Sequence, residues 1–342
     1  MSNLDLSTQC SSDHIQSEST DILDGKEYTT NFLDDKTIVI YNPYGYCESC
    51  GGRTVLHYIG KLLKEKNINV KMYAGGESYE RPIFSDFITE YDPDKIIVIY
   101  PELTTFNPLN AKYVIRWILA PVGKNAGDGQ IHLWDKNDLV YYFLSEEKMK
   151  NEPEKQNSIY KFLTTIYLKP NTFINYNRER KGYCHILKKA LQFHKNGIQT
   201  LHPDDSVELG NFPTHEALVE FFNRFEYFVC YDPCSFLVYL AGLCGCIPIL
   251  HKVDGISKEQ WFTGKGDTNS AYYEYYLTHE YTNFPGIAYG LEDIEYARST
   301  IHLLPELLHK QIEYINAPSI EKFIVDMQNF ESNINTVQNN YF

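Results

Sequence analysis

Apolar positions along the chain fall into short β-branched runs separated by amphipathic stretches. Thr37-Ile-Val-Ile-Tyr41 reads as a strand that Asn42-Pro43 ends. A glycine-containing loop, Tyr44 to Gly52, leads into a helix over Arg53–Lys66, with Val55, Tyr58, Ile59, Leu62 and Leu63 on one face. Val70–Tyr73 and Lys95–Tyr100 read as further strands, and Ile83–Thr89 as a helical turn or two. Pro108–Leu119 reads as a helix with proline in its first turn. This β-α-β-α-β order predicts a parallel sheet with helices on both faces. Gln130–Trp134 and Leu139–Leu144 continue it as strands, and the charged stretch 146–158 reads as a surface connection.

The alternation then starts again. Gly182–Leu187 is a predicted strand, and Thr214–Phe225 a helix with Thr214 as N-cap. Glu226–Tyr231 is a strand, Cys234–Cys244 a helix, and Ile247–Leu250 a strand. Gly286–Gly290 is a last short strand, and from Glu292 to about Phe330 the pattern is helical. The polar segment Asn171–Lys181 separates the halves. The expected organisation is a loosely attached tail over 1–35, an N-terminal Rossmann-like domain over 36–175, and a C-terminal one with terminal helices over 176–342. Two α/β domains in series leave a cleft between the carboxyl ends of their sheets, the usual place for a ligand.

A length of 342 residues suits two such domains. Lys and Arg number 31 against 45 Asp and Glu, a net charge of −14. That balance argues against a nucleic-acid partner bound by phosphate neutralisation, while leaving room for a small phosphorylated ligand. The longest apolar runs, such as Phe236–Leu250, are interrupted by glycine, so no transmembrane segment is expected. The N-terminus lacks a basic flank and an apolar core, so a cytoplasmic location is expected, with the eight cysteines as thiols.

Candidate chemistry concentrates at strand ends. In Phe228–Leu237 a strand runs into a helix through a turn carrying Asp232, Pro233 and Ser235. Free N–H groups at such a helix start suit a diphosphate. Lys188 and Lys189 end another strand of the same sheet. Taken singly, each motif is explained better by capping or by solvated lysines; their coincidence at one edge favours a ligand. Gly51-Gly52 follows the first strand and would let backbone approach a ligand, although GxGxxG is absent. Glu102, at the end of the third strand, is the leading carboxylate for a general base, with Glu77 and His57 as rivals and Glu48 behind them. Asp92-Pro-Asp94 has DxD spacing but precedes its strand, so it reads as a turn. Cys47-x-x-Cys50 lacks the second pair of ligands a structural zinc needs, and reads as a loop thiol pair, with a redox pair as the alternative. Cys230, Cys234, Cys244 and Cys246 read as buried free thiols. No GxSxG elbow is present.

Tyr231–Leu250, YDPCSFLVYLAGLCGCIPIL, resembles the nucleotide-sugar segment of GT-B glycosyltransferases: strand, turn with a small hydroxyl residue, helix, Cys-Gly, then a proline-containing strand. Phe236, Leu237 and Val238 stand where many of those enzymes carry a ribose- or sugar-binding Glu. Gly51–His57, Tyr100–Glu102, Asn107–Ala111, Arg116-Trp117, Arg178, Gly182–Lys189 and Gly286–Gly290 resemble a branch of GT-B-like transferases found in surface-glycan and viral gene sets. The resemblance implies a UDP- or GDP-sugar donor on the C-terminal domain, a glycan or other hydroxyl acceptor on the N-terminal one, and no metal or further cofactor. Arg178, Lys181, Lys188 and Lys189, with the turn at Asp232 and Ser235, would neutralise the diphosphate. A nucleotide-sugar epimerase and a non-catalytic sugar-nucleotide or glycan binder are the alternatives.

Overall fold

A computed structural model describes residues 31–75, 81–120, 134–143, 161–188, 190–194, 196–233, 235–262 and 283–333, without the side chain of Gln192. Glu77, Lys189, Cys234, most of 130–134 and the stretch 146–158 lie outside the described residues.

The first half forms a six-stranded parallel sheet. Its strands are β1 (Thr37–Asn42), β2 (Val70–Ala74), β3 (Ile96–Pro101), β4 (Tyr113–Ile118), β5 (Leu139–Tyr142) and β6 (Lys161–Phe162), in the order β2-β1-β3-β4-β5-β6. Helix α1 (Gly51–Glu65) makes the crossover from β1 to β2. The β-branched runs are buried on both sides. Ile38, Ile40, Ile97 and Ile99 face α1, while Val39, Val98 and Tyr100 face the loops carrying Leu109 and Ala111.

The second half is a five-stranded parallel sheet, order β11-β10-β9-β7-β8. Its strands are β7 (Tyr183–Ile186), β8 (Val207–Glu208), β9 (Tyr227–Cys230), β10 (Ile247–Leu250) and β11 (Ala288–Tyr289). Helices α2 (Ala190–Phe193), α3 (His215–Phe222), α4 (Leu237–Leu243), α5 (Lys258–Phe262) and α6 (Ile294–Thr300) surround it. Thr214 caps α3 as expected, its hydroxyl accepting from Ala217 N at 3.2 Å.

The longest helix among the described residues, α7 (Leu304–Gln328), is shared by both cores. Leu304, Leu307 and Leu308 pack into the second sheet, and Ile320, Phe323 and Met327 into the first. At the changeover, Asn316 Oδ1 accepts from Ile166 N at 2.7 Å, and its amide nitrogen donates to Ile166 O at 2.9 Å.

Two predicted elements are corrected. Pro108–Leu119 is not a helix: residues 113–118 form β4, because Tyr-Val-Ile-Arg-Trp-Ile buries both faces between β3 and β5. Ile83–Thr89 is not helical and makes an isolated parallel bridge from Phe87 to Met72. Among the described residues the first sheet therefore has helices on one face only, with loops on the other. The two-sheet α/β class with C-terminal helices stands. No helix among the described residues is long and apolar enough to cross a membrane.

Candidate functional site

Parallel strands put all their carboxyl ends on one side of a sheet, and here the two carboxyl edges meet at a cleft of about 940 Å³. The first half supplies Glu48, Ser49, Gly51 and Thr54 from the β1–α1 turn, and Phe143 beyond β5. The connecting segment supplies Thr165–Lys169. The second half supplies Lys188 after β7, Glu208 at the end of β8 with Leu209–Phe212 beyond it, the start of α3, and Asp232, Pro233, Ser235 and Phe236 after β9. Trp261 and Phe262 of α5 close one wall, and Trp261 Nε1 holds the turn by donating to Pro233 O at 2.8 Å.

Of the residues singled out from sequence, Glu48, Gly51, Lys188, Asp232 and Ser235 line this cleft. Lys188 is exposed and lines the cavity. Ser235 Oγ accepts from Leu237 N at 3.3 Å, so it already serves as a local cap. At Gly51 a Cβ would meet nothing within 4 Å, and at Gly52 only Leu119 Cδ1 at 3.8 Å. Neither position requires glycine for space.

The other candidates sit elsewhere. Glu102 is buried, and its Oε2 accepts from Leu119 N at 3.1 Å, bracing the exits of β3 and β4. His57 is wholly buried; Nδ1 lies 2.7 Å from Phe84 O and Nε2 lies 3.1 Å from the Asn42 amide nitrogen. Phe84 O can only accept, so Nδ1 carries the proton and Nε2 accepts. Burial pushes this imidazole below its usual range. Arg178 pairs with Glu220 at 2.6 Å and stacks on Tyr176, while Lys181 pairs with Glu179 at 2.9 Å, neither of them lining the cleft. The arginine that does insert is Arg180, which donates to Asn223 Oδ1 at 3.0 Å and Cys244 O at 2.8 Å. It knots the segment before β7 to the loop after α4. Gly245 belongs to that knot: φ is +81°, and a Cβ would strike Asn175 and Arg180.

Asp92-Pro-Asp94 forms the turn expected of it. Asp94 N donates to Asp92 Oδ1 at 3.0 Å, and Lys95 N to Asp92 O at 3.0 Å, at the amino end of β3. Cys230, Cys244 and Cys246 are buried thiols outside any disulfide among the described residues, with burial pushing the Cys244 thiol up to about 12.

Sequence reasoning missed a polar cluster spanning the cleft. Glu48 Oε1 lies 2.8 Å from Lys169 Nζ, and Glu48 Oε2 accepts from His215 N at 3.2 Å. The carboxylate of a β1–α1 turn residue thus sits on the N-terminal end of α3, where helix N–H groups and dipole favour an anion. Lys169 also pairs with Glu216 at 2.8 Å, and the two carboxylates raise its pKa. His215 Nδ1 stands 3.5 Å from Glu48 Oε1 without a hydrogen bond, and burial lowers its pKa. Thr165 Oγ1, also on the lining, is buried with no hydrogen-bond partner among the described residues. Glu48 was visible as a loop carboxylate. Its partners come from two segments more than a hundred residues away, and no spacing signal joins them.

No protein-family model matches the chain, and no curated protein sequence does. Among solved structures, T4 phage beta-glucosyltransferase is similar at 11% identity and a TM-score of 0.40, over 88% of this chain and 99% of that one. A DNA modifying enzyme, beta-glucosyltransferase, solved in the presence and absence of the substrate uridine diphosphoglucose, gives 12% identity and a TM-score of 0.40, with the same coverage. An alpha-glucosyltransferase in complex with UDP and a 13-mer DNA gives 12% and 0.31, over 89% of this chain and 100% of that one. The expectation of no nucleic-acid partner is corrected on these findings, since the similar structures include a DNA modifying enzyme and a DNA complex. Physically, the −14 is a sum over the whole chain, and a phosphate-binding face needs only a local excess of cations.

Proposed function

We propose that the chain is a glycosyltransferase that takes a sugar from a nucleoside diphosphate sugar and passes it to a hydroxyl acceptor. The observation that carries this reading is the cleft of about 940 Å³ between the carboxyl edges of two parallel sheets. Its size suits a nucleotide sugar. Lys188 and the turn of Asp232–Ser235 form the donor side, on the second sheet. Lys188 supplies positive charge where negative charge grows on the leaving diphosphate. The β1–α1 turn and Thr165 form the opposite wall, for the acceptor.

Calorimetric titration with UDP, GDP and their sugar conjugates tests the donor. Binding of at least one is expected, and Lys188→Ala weakens it by about 1–3 kcal/mol, the scale of a charge-assisted hydrogen bond. Failure of every nucleotide to bind overturns the reading. Incubation of the bound donor with oligosaccharides and with DNA carrying a hydroxylated base then identifies the acceptor. Free nucleoside diphosphate plus a sugar-bearing acceptor is the expected result; a changed sugar on intact donor means epimerisation, and binding without turnover a non-catalytic protein. Transfer is proposed to need no divalent ion, because the DxD pair is spent on a turn at the sheet edge away from the cleft. Turnover therefore survives exhaustive EDTA treatment; loss restored by Mn²⁺ or Mg²⁺ reverses that assignment.

A further inference from the structure

The Cys47-x-x-Cys50 pair is absorbed by none of the chemistry above, yet it brackets the residue that ties the two halves together. Cys50 N donates to Cys47 O at 3.1 Å, so the four residues form a hydrogen-bonded turn. The Cα atoms at the ends of such a turn lie within about 7 Å, which overlaps the range a disulfide spans. Both thiols are free and partly exposed, whereas Cys184, Cys230, Cys244 and Cys246 are buried in the second half. Cys50 is also the residue before α1, and its carbonyl accepts from Thr54 N at 2.9 Å. The Thr54 hydroxyl donates to the carbonyls of this same turn, 3.3 Å from Cys47 O and 3.4 Å from Glu48 O. Between the two cysteines stands Glu48, held by Lys169 and by the first N–H of α3.

We propose that Cys47 and Cys50 form a reversible disulfide that releases Glu48 from α3 and so sets the state of the cleft by thiol–disulfide exchange. The reduced turn is the one observed: its sulfurs are unbonded, Cys47 Sγ lies 3.3 Å from Ser49 Oγ, and Glu48 reaches across. The oxidant is a small-molecule disulfide such as oxidised glutathione. One cysteine thiolate attacks it, forming a mixed disulfide and releasing one thiol. The second cysteine thiolate then displaces the other thiol. One Sγ–Sγ bond forms and the oxidant's S–S bond breaks. The two cysteines give up two electrons and two protons, and the oxidant leaves as two thiols. Drawing the sulfurs into a bond reshapes the turn that carries Glu48 and Ser49, both cleft residues. Glu48 stands between the two bonded positions, so its contacts with Lys169 and with His215 N move with the turn.

The experiment equilibrates the full chain in glutathione buffers of graded reduced-to-oxidised ratio, traps free thiols, and measures peptide mass and hydrogen exchange. An intramolecular disulfide between residues 47 and 50 is expected at oxidising ratios and is reversed by dithiothreitol. With it, the amide of His215 exchanges at least about tenfold faster, the scale of losing a hydrogen bond to a charged acceptor. Cys47→Ser and Cys50→Ser each keep the slow exchange at every ratio, and Glu48→Gln shows fast exchange even when reduced. Stable glutathione adducts without the internal disulfide overturn the proposal, and so does a disulfide that leaves His215 exchange unchanged. Neither readout uses a nucleotide, so failure here is separate from failure of the transferase reading.

Discussion

His57 uses both ring nitrogens inside the core, donating to Phe84 O and accepting from Asn42, and it packs edge-on against Tyr46. It is one of several imidazoles that the native state keeps neutral. Burial lowers the pKa of His57, His185, His215 and His251, and the stacked His202 ring adds to the effect at His185. A folded-state value below the unfolded one means stability that is complete above about pH 6.5 and is lost as the pH falls through the folded values. Melting temperature should therefore drop on acidification from about pH 7.5 to 5.5, and His57→Gln should flatten the drop. An equal slope in the variant would remove His57 from the acid response. Gly60 gives a second residue-scale test. A Cβ there would stand 2.5 Å from Phe84 Cδ1, and Phe84 is buried with its carbonyl engaged by His57. Gly60→Ala is expected to cost about 1–3 kcal/mol, read from the urea midpoint.

Among elements, the β-branched runs at residues 38–40, 96–99 and 247–250 were legible as strands because each is a short apolar run bounded by polar or turn residues. Residues 113–118 were not, because the proline before them imitates a helix start, and burial on both faces erases the alternation that marks a strand. Strands β6 and β8 span two residues each, too short for any period to appear. Helix α7 was legible as a helix, but its change of partner near Asn316 was not, because a helical period records an apolar face and not which core receives it. Asn316 makes that junction specific, matching both the N–H and the C=O of Ile166. Asn316→Leu leaves both groups buried and unmatched, so a loss of about 2–4 kcal/mol is expected by chemical denaturation. A loss under about 0.5 kcal/mol, ordinary for a surface change, would mean that the clamp is dispensable.

At the scale of the whole molecule, the donor side of the cleft was partly readable. Lys188, Asp232 and Ser235 lie just after strands, and parallel topology sends all such residues to one edge. The facing wall was readable only as far as Gly51 and the loop carboxylate Glu48. Glu48, Lys169 and His215 converge only once the two sheets are set against each other, and that placement is made by the crossing segment and by α7 rather than by local pattern. The dependence on α7 leads to a strong expectation. Ile320, Phe323 and Met327 of α7, with Phe330 just beyond it, are almost wholly buried and cover the face of the first sheet that carries Ile115, Trp117 and Tyr141. At about 1.5–3 kcal/mol per buried side chain, these four contribute roughly 6–12 kcal/mol, comparable to the whole stability of a typical domain. Tyr141 would also lose the Asp326 carboxylate that accepts its hydroxyl at 2.8 Å, and Lys161 its partner at 2.7 Å. A chain ending at Ala317 keeps Leu304, Leu307 and Leu308 on the second sheet, yet it uncovers the first. Hydrogen exchange on that shortened chain should find β7, β9 and β10 still protected while β1, β3 and β4 exchange freely. Protection retained in β1, β3 and β4 would show that the first sheet closes its core without the C-terminal helix.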